Sequence, residues 1–287
     1  MTDALPTLAS TNYHCYRHPD RETFVSCQRC GRPICGECQT IAPVGVHCPE
    51  CVREARGSYP ASVRPIGRRI GRAFSPTNGR PVVTYVIIGL CLVIYGIQFL
   101  TGGDSSPVTK DLIYAPVYTP TQPWRMLTSL FIHESIIHVG FNMYSLYVVG
   151  PALESMLGRV RYTALFLVAG FAGSVGVLLI APADQLVLGA SGAIFGLFGA
   201  YFVIARRLGG NATYFLVIIV LNLVIGFIPG SGIAWQAHVG GLVAGVAVAF
   251  IYLETRSRAR RPAQVLLVAA VVAILVLVTI VKSSLLS

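Results

Sequence analysis

The chain has 287 residues, of which 54% are apolar and only 12% charged, and its mean hydropathy is +0.66. Soluble domains usually carry about 25% charged residues, so the composition excludes an ordinary water-soluble protein and points to an integral membrane one. The formal charge of +10 suggests a polyanionic partner only until the basic residues are located along the chain.

Residues 1–60 contain no apolar run long enough for a cleavable signal peptide, and none is expected. Residues 13–52 form a polar module, and seven of the eight cysteines fall between positions 15 and 51. The spacing there is Cys15-x2-His18-x8-Cys27-x2-Cys30-x4-Cys35-x2-Cys38-x9-Cys48-x2-Cys51. These eight residues form four ligand pairs, enough for two tetrahedral metal sites. In a reducing compartment, paired CxxC spacings favour metal over disulfides. Zinc suits thiolate-rich tetrahedral sites best, with iron the other candidate. So short a segment buries too little apolar surface to fold alone, so metal would supply folding energy. The spacing leaves serial and alternating pairing of the four ligand pairs open. His14 and His47 are spare, and His47 can substitute for a neighbouring ligand. A metal scaffold specifies no partner; docking of a cytoplasmic protein, or regulation, is the role expected.

Residues 53–80 read as a basic linker, with Pro60, Pro65 and Pro76 among Arg64, Arg68, Arg69, Arg72 and Arg80. Apolar segments follow at roughly 82–100, 137–157, 160–180, 191–205, 212–228, 235–253 and 263–282. Each is near the length needed to cross ~30 Å of hydrocarbon as a helix, the fourth being short. The 101–136 connection is the one long external loop, a common place for function. Arginines at 159 and 161, 206 and 207, and 256, 258, 260 and 261 punctuate alternate connections. Of the 22 Lys and Arg, only Lys110, Arg125 and Lys282 fall on the opposite side. This is the positive-inside pattern. The charge therefore reports topology, with no nucleic-acid partner, a cytoplasmic N-terminus and an extracytoplasmic C-terminus. Anionic lipid headgroups are compatible with the same arginines.

Ionisable and polar residues inside spans are costly and mark function by default. Those singled out here are His138 and Asn142 in the second span, Ser191 in the fourth and His238 in the sixth, with His133 just before. Counting back from the cytoplasmic arginines at 1.5 Å per residue puts Ser191 at ~22 Å, Asn142 at ~25 Å, His238 at ~27 Å and His138 at ~31 Å. All four share the outer layer of the bilayer. A serine hydroxyl needs an adjacent base to become a nucleophile, and neutral histidine serves. Ser191 sits in Gly189-Ala190-Ser191-Gly192 at a helix start, where unpaired N–H groups favour developing negative charge. His138 and Asn142, four apart, share one helix face and can both donate to an oxyanion. The set reads as an acyl-transfer site opening outward. A transporter would show intramembrane charges or broken helices in paired halves. A zinc-dependent membrane protease would carry HExxH inside a span. Neither pattern is present in the sequence.

Residues 82–253 resemble the rhomboid family. The resemblance rests on Trp124-Arg125, His133-x4-His138-x3-Asn142, Glu154-x3-Gly158, Gly189-Ala190-Ser191-Gly192 and Ala237-His238-x2-Gly241-x3-Gly245, in that order. It implies an all-α polytopic protein: a six-helix bundle over 81–254, then a basic loop and seventh transmembrane helix over 255–287. It implies an intramembrane serine endopeptidase with a Ser191–His238 dyad, no acidic third member and no cofactor in catalysis. The oxyanion hole would come from the Ser191 amide, His138 and Asn142, supported by Gly189 and His133. Gly241 and Gly245 would let the sixth helix approach the fourth, Trp124 and Arg125 would steady the external loop, and Glu154 would be structural. Substrates would be single-span membrane proteins cut near their outer end within the lipid bilayer of a bacterial cell membrane. The alternative is a catalytically silent rhomboid-like protein that binds membrane segments. The N-terminal spacing resembles a B-box-type zinc finger. That likeness implies one zinc ion held by Cys15, His18, Cys35 and Cys38 and another by Cys27, Cys30, Cys48 and Cys51.

Overall fold

The computed structural model describes residues 14–41, 45–57, 80–210, 212–228 and 232–286. The chain divides into two compact units, Met1–Ile66 and Gly67–Ser287. Most of the expected linker at 53–80, with Arg64, Arg68, Arg69 and Arg72, lies outside the described residues.

In the first unit, β1 (His14–Cys15) pairs antiparallel with β2 (His18–Glu22), and β3 (Thr40–Ile41) with β4 (Val46–His47). A helix, α1 (Pro49–Gly57), follows. The buried centre consists of Ile34 and the thiols of Cys15, Cys27, Cys35, Cys38, Cys48 and Cys51. One aliphatic side chain cannot offset the chain entropy of some forty residues, which is the physical reason to look for a metal. Cys51 lies in the first turn of α1, and the helix continues beyond it to Gly57.

The second unit contains seven helices over the expected apolar segments: α2 (Val82–Leu100), α5 (Ile136–Leu157), α6 (Arg159–Ile180), α7 (Ser191–Arg207), α8 (Thr213–Gly226), α9 (Trp235–Glu254) and α10 (Arg261–Ser283). Between α2 and α5 lie the short α3 (Pro107–Leu112) and α4 (Arg125–Thr128). A chain this apolar must satisfy its backbone polar groups internally, and helices do so within each segment. Five of the described helices, α2, α5, α6, α9 and α10, are long and apolar enough to cross a membrane. The other two are shorter, as expected for the fourth segment but not for the fifth. α7 has 17 residues and α8 only 14, about 26 and 21 Å of helix. α8 ends at Gly226 rather than near 228, with Phe227 as its C-cap.

The centre of this unit is α6, α7 and α9. Gly192 through Ala200 of α7 are buried without a break. Small residues set the spacing: a Cβ added to Gly241 would run into the Gly192 carbonyl oxygen, and one added to Gly245 into that of Gly196. Gly173 of α6 likewise faces the Ala237 carbonyl at 3.0 Å from where a Cβ would stand. Close backbone approach of this kind gives helices their packing energy in a medium where apolar burial supplies little. The periphery is apolar and exposed, as at Phe141 on α5 and Leu266 on α10, which suits contact with lipid.

Two buried charges tie the outer elements down. The Glu154 carboxylate accepts hydrogen bonds from the Val83 and Thr84 amides at 2.9 and 2.8 Å and from Thr84 Oγ1 at 2.8 Å. It satisfies orphan donors at the start of α2. Arg125 donates to the carbonyls of Lys110 and Ile113 at 2.6 and 2.9 Å and lies over the Tyr118 ring. It thereby gathers the connection between α2 and α5, while Trp124 stays half exposed.

Candidate active site and metal centres

Ser191 is the first residue of α7, and His238 lies one turn into α9. Their side chains meet: His238 Nε2 and Ser191 Oγ are 3.0 Å apart across 47 residues of sequence. The glycine seam described above permits this distance, because it brings the two backbones together where the side chains are short. His238 is buried, and its Nδ1 has no hydrogen-bond partner among the described residues. The ring is oriented instead by Phe195, which stacks on it at 4.0 Å between centroids and 7° between planes. Phe195 stands four residues after Ser191, so hydroxyl and phenyl ring occupy one face of α7 and grip one imidazole.

Gly189 adopts φ +108°, in the left-handed region that only glycine enters freely, and its N–H donates to the Ser129 carbonyl at 2.8 Å. A Cβ there would also lie 2.6 Å from His138 Nε2. The His138 ring therefore rests against the turn that delivers Ser191. The first turn of α7 has no side-chain cap, leaving its leading N–H groups without intrahelical acceptors. Asn142 is buried one turn further along α5, with Nδ2 donating to the His138 carbonyl at 2.9 Å. His133 is buried edge-on to His138 at 5.2 Å. The structure thus gathers Ser191, His238, Gly189, His138 and His133, and sets Asn142 on the His138 backbone.

Sequence reasoning missed two contributors. Phe195 is one, although an aromatic four residues beyond a nucleophilic serine was a usable signal. The other is Gln98, buried near the end of α2. Its Oε1 accepts from the His133 amide at 3.1 Å, while Nε2 donates to Thr109 Oγ1 at 2.8 Å and to the His133 carbonyl at 3.3 Å. Its position at a span end gave no sign of a partner 35 residues away.

In the first unit, Cys15, His18, Cys35 and Cys38 form one group, and Cys27, Cys30, Cys48 and Cys51 another, with donor atoms within 4.8 Å of one another in each. His14 and His47 belong to neither. An ion with ~2.3 Å bonds to sulfur and ~2.0 Å to nitrogen needs tetrahedral edges of ~3.8 and ~3.5 Å. The Cys30 and Cys48 sulfurs are 3.7 Å apart. His18 Nδ1 is 3.3, 3.5 and 3.9 Å from the sulfurs of Cys35, Cys38 and Cys15. A disulfide would need ~2.05 Å, and all these thiols are unbridged. Burial, together with the neighbouring thiols, pushes Cys38 up to about 11 and Cys51 up to about 12. Both groups therefore fit a metal ion, whose charge would allow every thiol to ionise.

A family model described as the rhomboid domain matches residues 120–255. The chain is 35% identical over 179 residues to the rhomboid protease GluP of Bacillus subtilis (strain 168), covering 58% of this chain and 34% of that protein. It is 33% identical over 184 residues to the putative rhomboid protease YdcA of the same organism, covering 62% of this chain and 92% of that protein. A third relative, the mitochondrial RHOMBOID-like protein 6 of Arabidopsis thaliana, is 34% identical over 166 residues, 53% of this chain and 52% of that protein. A mostly helical unit with five described helices long and apolar enough to cross a membrane fits a rhomboid polytopic membrane protein. The chain belongs to the rhomboid family. It spans about a third of GluP and about half of the plant relative, against nearly all of YdcA.

Proposed function

We propose that the chain is an intramembrane serine endopeptidase that cuts single-span membrane proteins near the extracytoplasmic face. The observation that carries this reading is the 3.0 Å contact between Ser191 Oγ and His238 Nε2. That distance is within the reach required of a nucleophile and its base. His238 takes the hydroxyl proton as Ser191 attacks the scissile carbonyl. The oxyanion lies at the start of α7, stabilised by the Ser191 amide, His138 and the amide hydrogen of Asn142 not bonded to the His138 carbonyl. His238 then returns the proton to the leaving amine, and water hydrolyses the acyl-enzyme through the same base. Gly189 gives His138 room beside the nucleophile, and His133 with Gln98 holds it from behind. The relatives GluP, a rhomboid protease, and YdcA, a putative rhomboid protease, favour the same chemistry.

The topology that fits the arginine pattern puts the N-terminus in the cytoplasm, the C-terminus outside and the dyad toward the outer leaflet. The six helices from Val82 to Glu254 form the catalytic core, and α10 is an addition to it. Zinc is the proposed ion of both thiol-rich groups, in a cytoplasmic module that docks a protein or regulates the core.

The test is cleavage of a single-span reporter in liposomes by wild type, Ser191→Ala and His238→Ala, with fluorophosphonate labelling alongside. Cleavage and labelling by wild type alone are expected. A folded wild type that neither cuts nor takes the label would instead identify a silent relative that binds membrane segments.

A further inference from the structure

A cavity of about 280 Å³ lies where α9 gives way to α10, lined by Leu253, Glu254, Arg256, Ser257 and Arg260. That volume is near the lower bound of small-molecule sites, ~300 Å³. The turn forming it is pinned from beneath: the buried Gln264 donates to Thr255 Oγ1 at 2.7 Å and to the Thr255 carbonyl at 3.4 Å. Its one lining carboxylate, Glu254, is already paired with Arg207 of α7 at 3.1 Å. Arg260 is held in place by donating to the Glu254 carbonyl at 3.1 Å. Arg256 has no hydrogen bond or ion pair among the described residues. Across the ends of α7, α9 and α10 stand six arginines, at 206, 207, 256, 258, 260 and 261, against that single carboxylate. α10 also begins here with Pro262 in its first turn and no side-chain cap, so the positive end of a 23-residue helix adds to the field.

We propose that this cleft binds the phosphodiester headgroup of an anionic phospholipid, gripped by Arg256 and Arg260 with the Ser257 hydroxyl donating. Arginine forks suit phosphate oxygens geometrically as well as by charge. The neighbouring surface selects a lipid over free phosphate. Just beyond the cleft, α10 exposes Val265 and Leu266, apolar residues against which an acyl chain lies and to which inorganic phosphate offers nothing. The lipid then bridges the last helix to the core at the level where helices leave the hydrocarbon.

The test uses the full, metal-replete chain in neutral detergent, with phosphatidylglycerol and phosphatidylcholine titrated separately and bound lipid counted by native mass spectrometry. Phosphatidylglycerol is expected to be retained over phosphatidylcholine. The Arg256→Gln/Arg260→Gln variant should lose about thirtyfold in apparent affinity, as two charges each worth ~1 kcal/mol near an anionic surface imply. Arg80→Gln/Arg159→Gln, which removes two exposed arginines elsewhere, should bind like wild type. Equal retention of the two lipids, or equal loss in both double variants, would overturn the site. Displacement of phosphatidylglycerol by millimolar inorganic phosphate would overturn the assignment to lipid. Matching thermal midpoints of both variants and wild type ensure that lost binding is not lost folding.

Discussion

The glycine seam makes the sharpest prediction. An alanine at 241 places its Cβ 2.7 Å from the Gly192 carbonyl carbon, and closer still to its oxygen, where ordinary contact begins at 3.4 Å. Both obstacles are backbone, so no side-chain rotation relieves them, and α9 must move off α7 by roughly 0.7 Å or more. His238 travels with α9. Its present 3.0 Å from Ser191 would stretch past the ~3.2 Å limit of an effective proton transfer. Misplacement on the order of 1 Å costs about a hundredfold in turnover. Gly241→Ala should therefore reduce reporter cleavage about a hundredfold in liposomes while the chain stays folded, as overpacking costs only ~1–3 kcal/mol. Gly89→Ala, where a Cβ meets nothing within 4 Å, serves as control and should cut normally. Gly241→Ala turnover within threefold of wild type would refute the claim that backbone contact sets the dyad distance.

Three further outcomes follow from particular contacts. Glu154→Ala strands the Val83 and Thr84 amides, each worth ~1–3 kcal/mol when unsatisfied. A loss of about 3 kcal/mol should lower the thermal midpoint by roughly 10 °C, and an unchanged midpoint would contradict the cap. Phe195→Leu removes the ring stacked on His238, so kcat should drop about tenfold at constant KM. Phe195→Tyr should restore it, and failure of that rescue would count against stacking. Dialysis against a strong zinc chelator should release metal from both ligand groups and expose the module thiols to alkylation, with the helical signal of the membrane unit retained. Thiols that remain protected after complete metal removal would exclude metal as what holds the module together.

What could be read in advance divides along physical lines. Lipid imposes its demands on every residue of a span, so apolar runs announced the helices, and Ser191, His138, Asn142 and His238 stood out as polar residues at one depth. Contacts between distant segments left no such trace. Glu154 could be read as structural, but its partners, the amides of Val83 and Thr84 and the Thr84 hydroxyl, lie some seventy residues away and nothing in the sequence pointed to them. Phe195 resembles the other phenylalanines of α7 in composition, and only its spacing four residues after Ser191 marked it. The shortness of α8 was hidden because its flanking residues are as apolar as the helix itself. In the N-terminal module, spacing identified the eight donors, but their division between two centres depends on the path of the backbone between them.

The 17 residues of α7 carry one more consequence. A helix of about 26 Å beside hydrocarbon of ~30 Å makes bilayer thickness a variable of the site. Its Ser191 end is met by polypeptide: the Tyr114–Val187 pairing and the Ser129–Gly189 hydrogen bond cover it. A thinner membrane draws that cover and the serine toward bulk solvent, and a thicker one sinks them, at fractions of a kcal/mol per Å of mismatch. On the proposed topology, acyl-chain length in the surrounding lipids would therefore throttle the solvent that reaches Ser191, with no change in any residue of the protein.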